Sequence, residues 1–348
     1  RGSVHARYYV LAAGGIENAR LLLLSNSTAA QGLGNDRDVV GRYFMDHPRS
    51  RLGEVRGGGF DRFAHRYSTP RDQAPSPAYV HLGLTDQAQR ALGLLNARAR
   101  PFAVEQAAPP GLQSLRDLRA SFRGETAAPS PGDVVEHEVL DALAQGLPNH
   151  TPRTRGHRPS RARIALRLGR HFGDVVSAGR RKLAHAPAVA TDRVDVVGYF
   201  EQSPNRDSRI ALGDSIDALG QRQVSIDWRL TDFDIDSYRK AADVIGQDIT
   251  AGYDCQFQPE RWIHDAAAPT EFHGTAHHMG TTRMSDNPQT GVVDADCKVH
   301  GVDNLYIAGS SVFPTGSWAF PTFTIVALGL RVADTLRARL GDLSIFMV

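Results

Sequence analysis

Strand–turn–helix patterns stand at both ends of this chain, with antiparallel-type strand patterns between them, and this arrangement constrains the fold more than any other feature. Arg7–Leu11 is a short aromatic and β-branched run ending in Ala-Ala-Gly-Gly, the pattern of a buried strand meeting a turn. IENARLLLLSN follows, with Ile16, Ala19, Leu22 and Leu23 at helical spacing. Near the other end Leu305–Ala308 reads as a strand, Pro314 and Gly316 as a turn, and Phe323–Leu336 as an apolar-striped helix with Pro321 suited to its first turn. Asp192–Glu201, SRIALGD and QVSIDWRL read as a run of antiparallel strands, the last two joined by the turn-rich DSIDALGQRQ. Asp234–Ala251 then reads as a helix that Asp232 or Asp234 can cap, with Ile235, Tyr238, Ala242, Ile245 and Ile249 in its stripe. Fragments of a parallel α/β domain at both ends thus enclose an antiparallel sheet.

Composition excludes several classes of function. A net charge of +2 gives no general attraction for nucleic acid. No apolar run approaches the roughly 20 residues needed to cross a bilayer. Cys255 and Cys297 stand far apart without metal-type spacing and read as idle buried thiols, so neither a disulfide framework nor a metal site is expected. The basic stretch Thr151–Ala186 has two readings, an anionic-partner face or a solvated helix whose Ile164, Leu166, Leu168 and Phe172 face a core; near-neutral overall charge favours the second. Pro109–Pro110 and Pro129–Pro131 punctuate surface loops. No targeting segment is visible, which leaves cytoplasmic and periplasmic locations both open.

Histidines cluster at His273, His277 and His278 in FHGTAHHMGTTRM. In a Gly/Thr-rich loop such a ring can take up a proton near neutral pH, or it can be a hydrogen-bonded core residue. After the strand at Leu305–Ala308, Gly309 permits close backbone approach to a ligand, and Ser310 and Ser311 offer hydroxyls. A helix starting near Pro321 would aim free N–H groups at whatever lies beside it, which suits a flavin that becomes anionic on reduction. An ordinary strand–loop–helix unit accounts for the same pattern.

HHMGTTRM resembles the H-x-x-G-T-x-x-M stretch of the glucose–methanol–choline (GMC) oxidoreductases. NLYIAGSSVFPTGSWAFPTFTIVALGLRVAD resembles that family's closing strand–loop–helix, and YYVLAAGGIENARLLLLS its returning strand and helix. GRYFMDHP and EQSPNRDSRIALGDSIDALGQRQVSIDWRL are similar to further family segments, nearest the sugar-oxidising and pyranose-oxidase-like branch. The resemblance implies an α/β plus α+β fold: a partial FAD-binding Rossmann-like domain with an antiparallel-sheet substrate domain. Residues 1–50 would be the returning part of the FAD-binding domain, 51–270 the substrate domain, and 271–348 the histidine loop and closing strand–loop–helix. It further implies FAD as cofactor, contacted by Ala13, Gly14, Gly309, Ser310, Pro321 and Thr322. His277 would be the base that takes a hydroxyl proton while hydride leaves the same carbon for flavin N5. His278 and His273 are supporting candidates.

Two departures bear on that expectation. No G-x-G-x-x-G loop follows a strand, so the N-terminal half of the FAD domain is expected as a missing partner. The family's second catalytic residue, usually Asn or His, is replaced by Phe320, which can neither donate nor accept a hydrogen bond. The expected reaction is oxidation of a CH–OH group, in a sugar or other polyol, with oxygen, a quinone or a redox partner as electron acceptor. A degenerate binding or assembly subunit and a flavin-dependent lyase or isomerase are the alternatives.

Overall fold

The computed structural model describes residues 2–68, 80–105, 109–123, 160–183 and 191–341. Strand β1 (Tyr9–Leu11) pairs in parallel with a strand from the far end of the chain, Leu305–Ile307, in the register Tyr9↔Leu305, Val10↔Tyr306 and Leu11↔Ile307. A parallel pair needs a crossover between its strands, and here the rest of the fold is that crossover. The helix Gly14–Leu24 lays Ala19 and Leu22 on a core shared with Tyr306, Ile307 and Val332, the last supplied by the C-terminal helix Thr322–Leu340. On its other side the C-terminal helix presents Phe323, Val326 and Leu330 to solvent.

A second core lies under a five-stranded antiparallel sheet. Its strands are β2 (Arg49–Arg56), β3 (Leu82–Gly83), β4 (Ala97–Glu105), β5 (Thr191–Phe200) and a strand at Gln256–Pro259 that pairs with β2. The order runs β3, β4, β5, β2 and then the Gln256–Pro259 strand. Strand alternation sorts the side chains of the sheet to two faces. Ala97, Ala99, Val194, Val196 and Phe200 face the long helix Asp232–Tyr253, which answers with Tyr238, Ala241, Ala242, Ile245 and Ile249. Phe200 and Tyr238 stack at 4.3 Å, and the Tyr238 hydroxyl donates to the Glu201 carbonyl. The opposite face carries Arg49, Arg98, Arg100 and Tyr199, with Arg49 and Arg98 both directly across from Tyr199.

Four sequence readings need correction. The predicted antiparallel run is split: β5 joins the large sheet, whereas β6 (Arg209–Ile216) and β7 (Arg222–Asp227) form a separate hairpin. Both edges of β5 are already taken by β2 and β4, so β6 turns away and docks on the first helix, where Arg20 pairs with Asp217 at 2.6 Å and donates to the Arg222 carbonyl. Secondly, the long helix is capped by Thr231, and Asp234 closes the capping box from the third helical position. Thirdly, of the four apolar residues read as core-facing in the basic stretch, Ile164 is buried and Leu168 half-buried, whereas Leu166 lies off their i,i+4 stripe and is exposed, and Phe172 is exposed where a new helix, Phe172–Leu183, starts after the break at His171. Arg153, Arg155 and Arg158 of that stretch, and Pro129–Pro131, lie outside the described residues. Fourthly, Pro110 opens the helix Pro110–Arg123, where its missing N–H costs nothing, while Pro109 precedes it. Among the described residues no helix is long and apolar enough to cross a membrane, and both cysteines are buried and free.

Candidate active site

Three backbone segments far apart in sequence converge on the histidine loop. Met45 and Met279 exchange two backbone hydrogen bonds, 3.0 and 2.9 Å, joining GRYFMDHP to HHMGTTRM as a short antiparallel bridge. Gly15 fits directly against the His278 backbone: a Cβ there would sit 2.1 Å from the His278 carbonyl oxygen. Thr281 Oγ1 donates to the Gly15 carbonyl, and Ser310 Oγ to the His278 carbonyl at 2.7 Å. Thr282 N–H donates to the Ser311 carbonyl at 2.8 Å. The glycine turn after β1 and the serine turn after Leu305–Ile307 therefore both abut the loop that bears His277.

The internal order of that loop comes from one buried carboxylate. Asp46 is 4% exposed and accepts the backbone N–H groups of His47, Ala276 and His277 at 2.7, 3.1 and 3.0 Å, and the Thr275 hydroxyl at 3.0 Å. Ala276 sits in the left-handed region at φ 59°, a conformation that disfavours a side chain and is held here by the bond to Asp46. Thr275 Oγ1 lies 3.0 Å from His277 Nδ1. A hydroxyl has one proton, and the acceptor-only carboxylate takes it, so the contact with the ring requires His277 Nδ1 to carry its own proton. The neutral His277 thereby presents a lone pair at Nε2, which makes no hydrogen bond among the described residues.

The surroundings keep this ring neutral. Burial lowers the His277 pKa below the usual histidine value; Asp46 works in the opposite sense, and the positive charge of Arg98 reinforces the lowering. His47, 5.1 Å from His277 between ring centroids and 1% exposed, bonds the Gly316 carbonyl through Nε2 at 3.2 Å. Burial, followed by the His277 charge, pulls its pKa down to about 4. The unfolded chain titrates near 6.5 and takes up a proton that the folded His47 refuses. Stability is therefore full above pH 6.5 and falls as pH drops toward 4, by on the order of 3 kcal/mol from His47 alone. Urea unfolding at pH 7 and pH 4 should show this loss, and His47→Gln, which keeps a donor for Gly316, should remove it. An equal loss in the variant would assign it to other groups.

Phe320 stands beside His277. Its ring lies 5.2 Å from that of His277, edge to face, and is 54% exposed. His278 is differently employed: its ring packs at 5.6 Å on Phe44, with Nε2 3.8 Å from Asp46 Oδ2. His273 exchanges backbone hydrogen bonds with Arg49 at the start of β2.

Of the predicted cofactor contacts, Ala13, Gly14, Gly309 and Ser310 come together where the parallel strands end. Buried Asn18 ties them, accepting the Ala13 N–H at 2.8 Å and donating to Ser311 Oγ at 2.9 Å and the Ala308 carbonyl. Gly309 has φ 131°, and a Cβ on it would lie 3.9 Å from Gly14 Cα. Buried Pro321 and exposed Thr322 begin the C-terminal helix. Neither that helix nor Gly14–Leu24 has a side-chain cap, so both open with free backbone N–H groups at their positive ends. Crevices beyond the carboxyl ends of parallel strands, lined by such donors, fit anionic, nucleotide-like groups.

The sequence pattern of GRYFMDHP assigns no role to Asp46 or His47, and none to Thr275 or Arg98 elsewhere in the chain. Signals existed: an acid directly after the apolar run Tyr43–Met45, and the alternation of arginine with alanine in ARAR, which puts Arg98 opposite the core face.

Comparison with known proteins bears on this geometry. Residues 204–329 match the C-terminal region of the family described as GMC oxidoreductase. The chain is 26% identical over 342 residues to the fructose dehydrogenase large subunit of Gluconobacter japonicus, an alignment covering 96% of this chain and 47% of the relative. It is 24% identical to the 2-methyl-1,2-propanediol dehydrogenase of Mycolicibacterium austroafricanum, over 99% of this chain and 50% of the relative. In fold it is similar to pyridoxine 4-oxidase from Mesorbium loti, with a TM-score of 0.50 at 17% identity, covering 96% of this chain and 52% of that one. The chain thus spans about half the length of the relatives it matches. The His277 loop and the Gly309–Thr322 segment both lie inside the matched residues, so this part of the chain is similar to the C-terminal region of the GMC oxidoreductases.

Proposed function

We propose that this chain supplies the catalytic base and part of the cofactor crevice of an FAD-dependent oxidoreductase that converts a CH–OH group to a carbonyl. The observation that carries the reading is the Asp46–Thr275–His277 chain, which commits Nδ1 of His277 to a proton and leaves Nε2 as the free base. FAD, when bound, supplies the acceptor for the hydride that leaves the carbinol carbon. Ala13, Gly14, Gly309 and Ser310 would hold it at the strand ends, with Pro321 and Thr322 at the opening of the C-terminal helix.

An alcohol is a poor hydride donor until its oxygen gains negative charge, so proton removal at His277 Nε2 and hydride departure have to coincide. The chain's own groups provide for this. Asp46 sets the loop, Thr275 sets the tautomer, and burial keeps the ring unprotonated at neutral pH. Phe320 offers no second polar contact to the substrate oxygen; its ring shields one side of the base from water. Thr281, Thr282 and Arg283 brace the loop through the Gly15, Ser311 and Pro314 carbonyls, a supporting task only.

Sugars and other polyols are the leading substrates, a choice supported by the names of relatives such as fructose dehydrogenase and, over 69 residues at 41% identity, pyranose 2-oxidase of Tricholoma matsutake. The visible spectrum of the complete encoded protein, followed during anaerobic addition of sugars and alcohols, tests the reading. Bleaching of a bound flavin by a member of the panel is expected. A protein that stays colourless when FAD is supplied would overturn it.

A further inference from the structure

We propose that the wall beside His277 contains a carboxylate subsite built round Arg98, so that the preferred substrate is a hydroxy compound carrying an acid group, such as a sugar acid. The proposal deepens the functional reading above and rests on it for the position of the reacting hydroxyl. Arg98 is 3% exposed, on the sheet face away from the core. Its guanidinium lies 4.4 Å from the Tyr199 ring centroid and 4.9 Å from those of both Trp318 and Phe320. Phe320 is the same ring that touches His277, so one aromatic residue separates the cation from the base.

A buried cation ordinarily has a carboxylate partner, because an unpaired charge away from water is costly. Arg98 has none among the described residues. The acids on this face of the sheet are engaged farther along it: Asp195, Glu54 and Glu260 all pair with Arg51, and Asp195 pairs also with Arg193. Glu201, nearer the site, spends its two oxygens on the backbone N–H groups of Asn96 and Ser317. Among the described residues the single hydrogen-bond partner of Arg98 is His81, whose Nδ1 lies 2.6 Å from Nη1. Burial and the Arg98 charge hold the His81 pKa down to about 4, so His81 accepts as a neutral ring and leaves the positive charge uncompensated.

The vacant donors have a definite geometry. Nη1 is taken by His81; Nε is buried with no acceptor, and Nη2 makes no hydrogen bond among the described residues. Nε–H and Nη2–H point in parallel from one edge of the guanidinium, the fork that matches the two oxygens of a carboxylate. Three rings cover the remaining faces, which favours a flat ligand approaching that edge. Lysine in the same place would provide charge without the fork.

The test uses matched sugars that differ only in a carboxylate for a hydroxymethyl group, D-galacturonate against D-galactose and D-glucuronate against D-glucose. Binding to the complete encoded flavoprotein at pH 7 is read from intrinsic fluorescence, for which Trp318 is a reporter at the site, and from the concentration dependence of anaerobic flavin bleaching. At least one acid should bind about tenfold or more tightly than its neutral partner. That preference should vanish in Arg98→Met and be only partly restored in Arg98→Lys. Equal affinities in the wild type, or a preference that survives both substitutions, overturns the subsite. If Arg98→Met does not fold, Arg98→Lys alone decides, since a simple charge effect would leave the preference whole. Bleaching by neutral sugars without any preference for acids sinks the subsite and leaves the oxidoreductase reading intact. Acid-selective binding without bleaching by any ligand does the reverse.

Discussion

Replacing His277 by alanine should slow reduction of the bound flavin by about 10²–10⁴-fold, the usual contribution of a positioned general base, while leaving cofactor content unchanged. The loop does not depend on the imidazole for its shape. Its backbone is held by Asp46 through the N–H groups of Ala276 and His277, and by Ser310 and Thr281 on the other side. What disappears is the free Nε2 next to Phe320. The pH dependence carries the sign of the same assignment. Burial lowers the His277 pKa, so the reduction rate should rise with pH through a midpoint below the ordinary histidine value. Rapid-mixing measurements of flavin reduction against pH, in wild type and His277→Ala, give both results. Substantial turnover in the variant, or an unchanged pH profile, would remove His277 from the role of base.

The second large effect is expected at Asp46. Alanine there strands one hydroxyl and three backbone N–H groups in a buried site, and it releases Ala276 from the bond that holds its left-handed backbone. Each unsatisfied buried donor costs about 1–3 kcal/mol, and with partial relaxation the total should be on the order of 3–5 kcal/mol. Thr275→Val is the informative contrast. Isosteric valine removes the partner of His277 Nδ1 but spares the backbone bonds to Asp46, so it should cost little stability and still slow reduction roughly tenfold or more as the other tautomer becomes populated. Denaturant unfolding separates the two variants on stability, and flavin reduction compares them on rate. A Thr275→Val protein as fast as wild type would show that the tautomer is set without this hydroxyl.

Local signals made the terminal units legible. The strand before Ala-Ala-Gly-Gly, the helix that follows and the C-terminal helix all form where the sequence pattern predicts them, although the strand, read as buried, leaves Tyr9 and Val10 exposed because its one pairing partner is Leu305–Ile307. The long helix was equally legible in its stripe, although its cap is Thr231 and not an aspartate. His277 stood out through its Gly/Thr-rich surroundings and the family resemblance, and Phe320 through the same comparison.

Periodicity could not show which strands share a sheet. SRIALGD and QVSIDWRL alternate like β5, yet they form a hairpin of their own because both edges of β5 are filled by strands from elsewhere in the chain. It was also silent on the partners of His277. Asp46 stands 231 residues before His277, and Asn18 stands 293 before Ser311; no local pattern relates such pairs. The sequence by itself therefore determined the two terminal strand–helix units, the long helix, the strands between Asp192 and Asp227 and the identity of the candidate chemistry-bearing loop, since these depend on interactions among near neighbours; the helices Phe60–Ser68 and Pro110–Arg123 and the strands β2 and β4 were not among them. Tertiary structure alone decided the sheet order, the carboxylate that shapes the loop and the buried arginine beside it. Those depend on which groups meet when distant segments leave water together, and a buried charge or donor reveals its function only through the partner it finds or lacks.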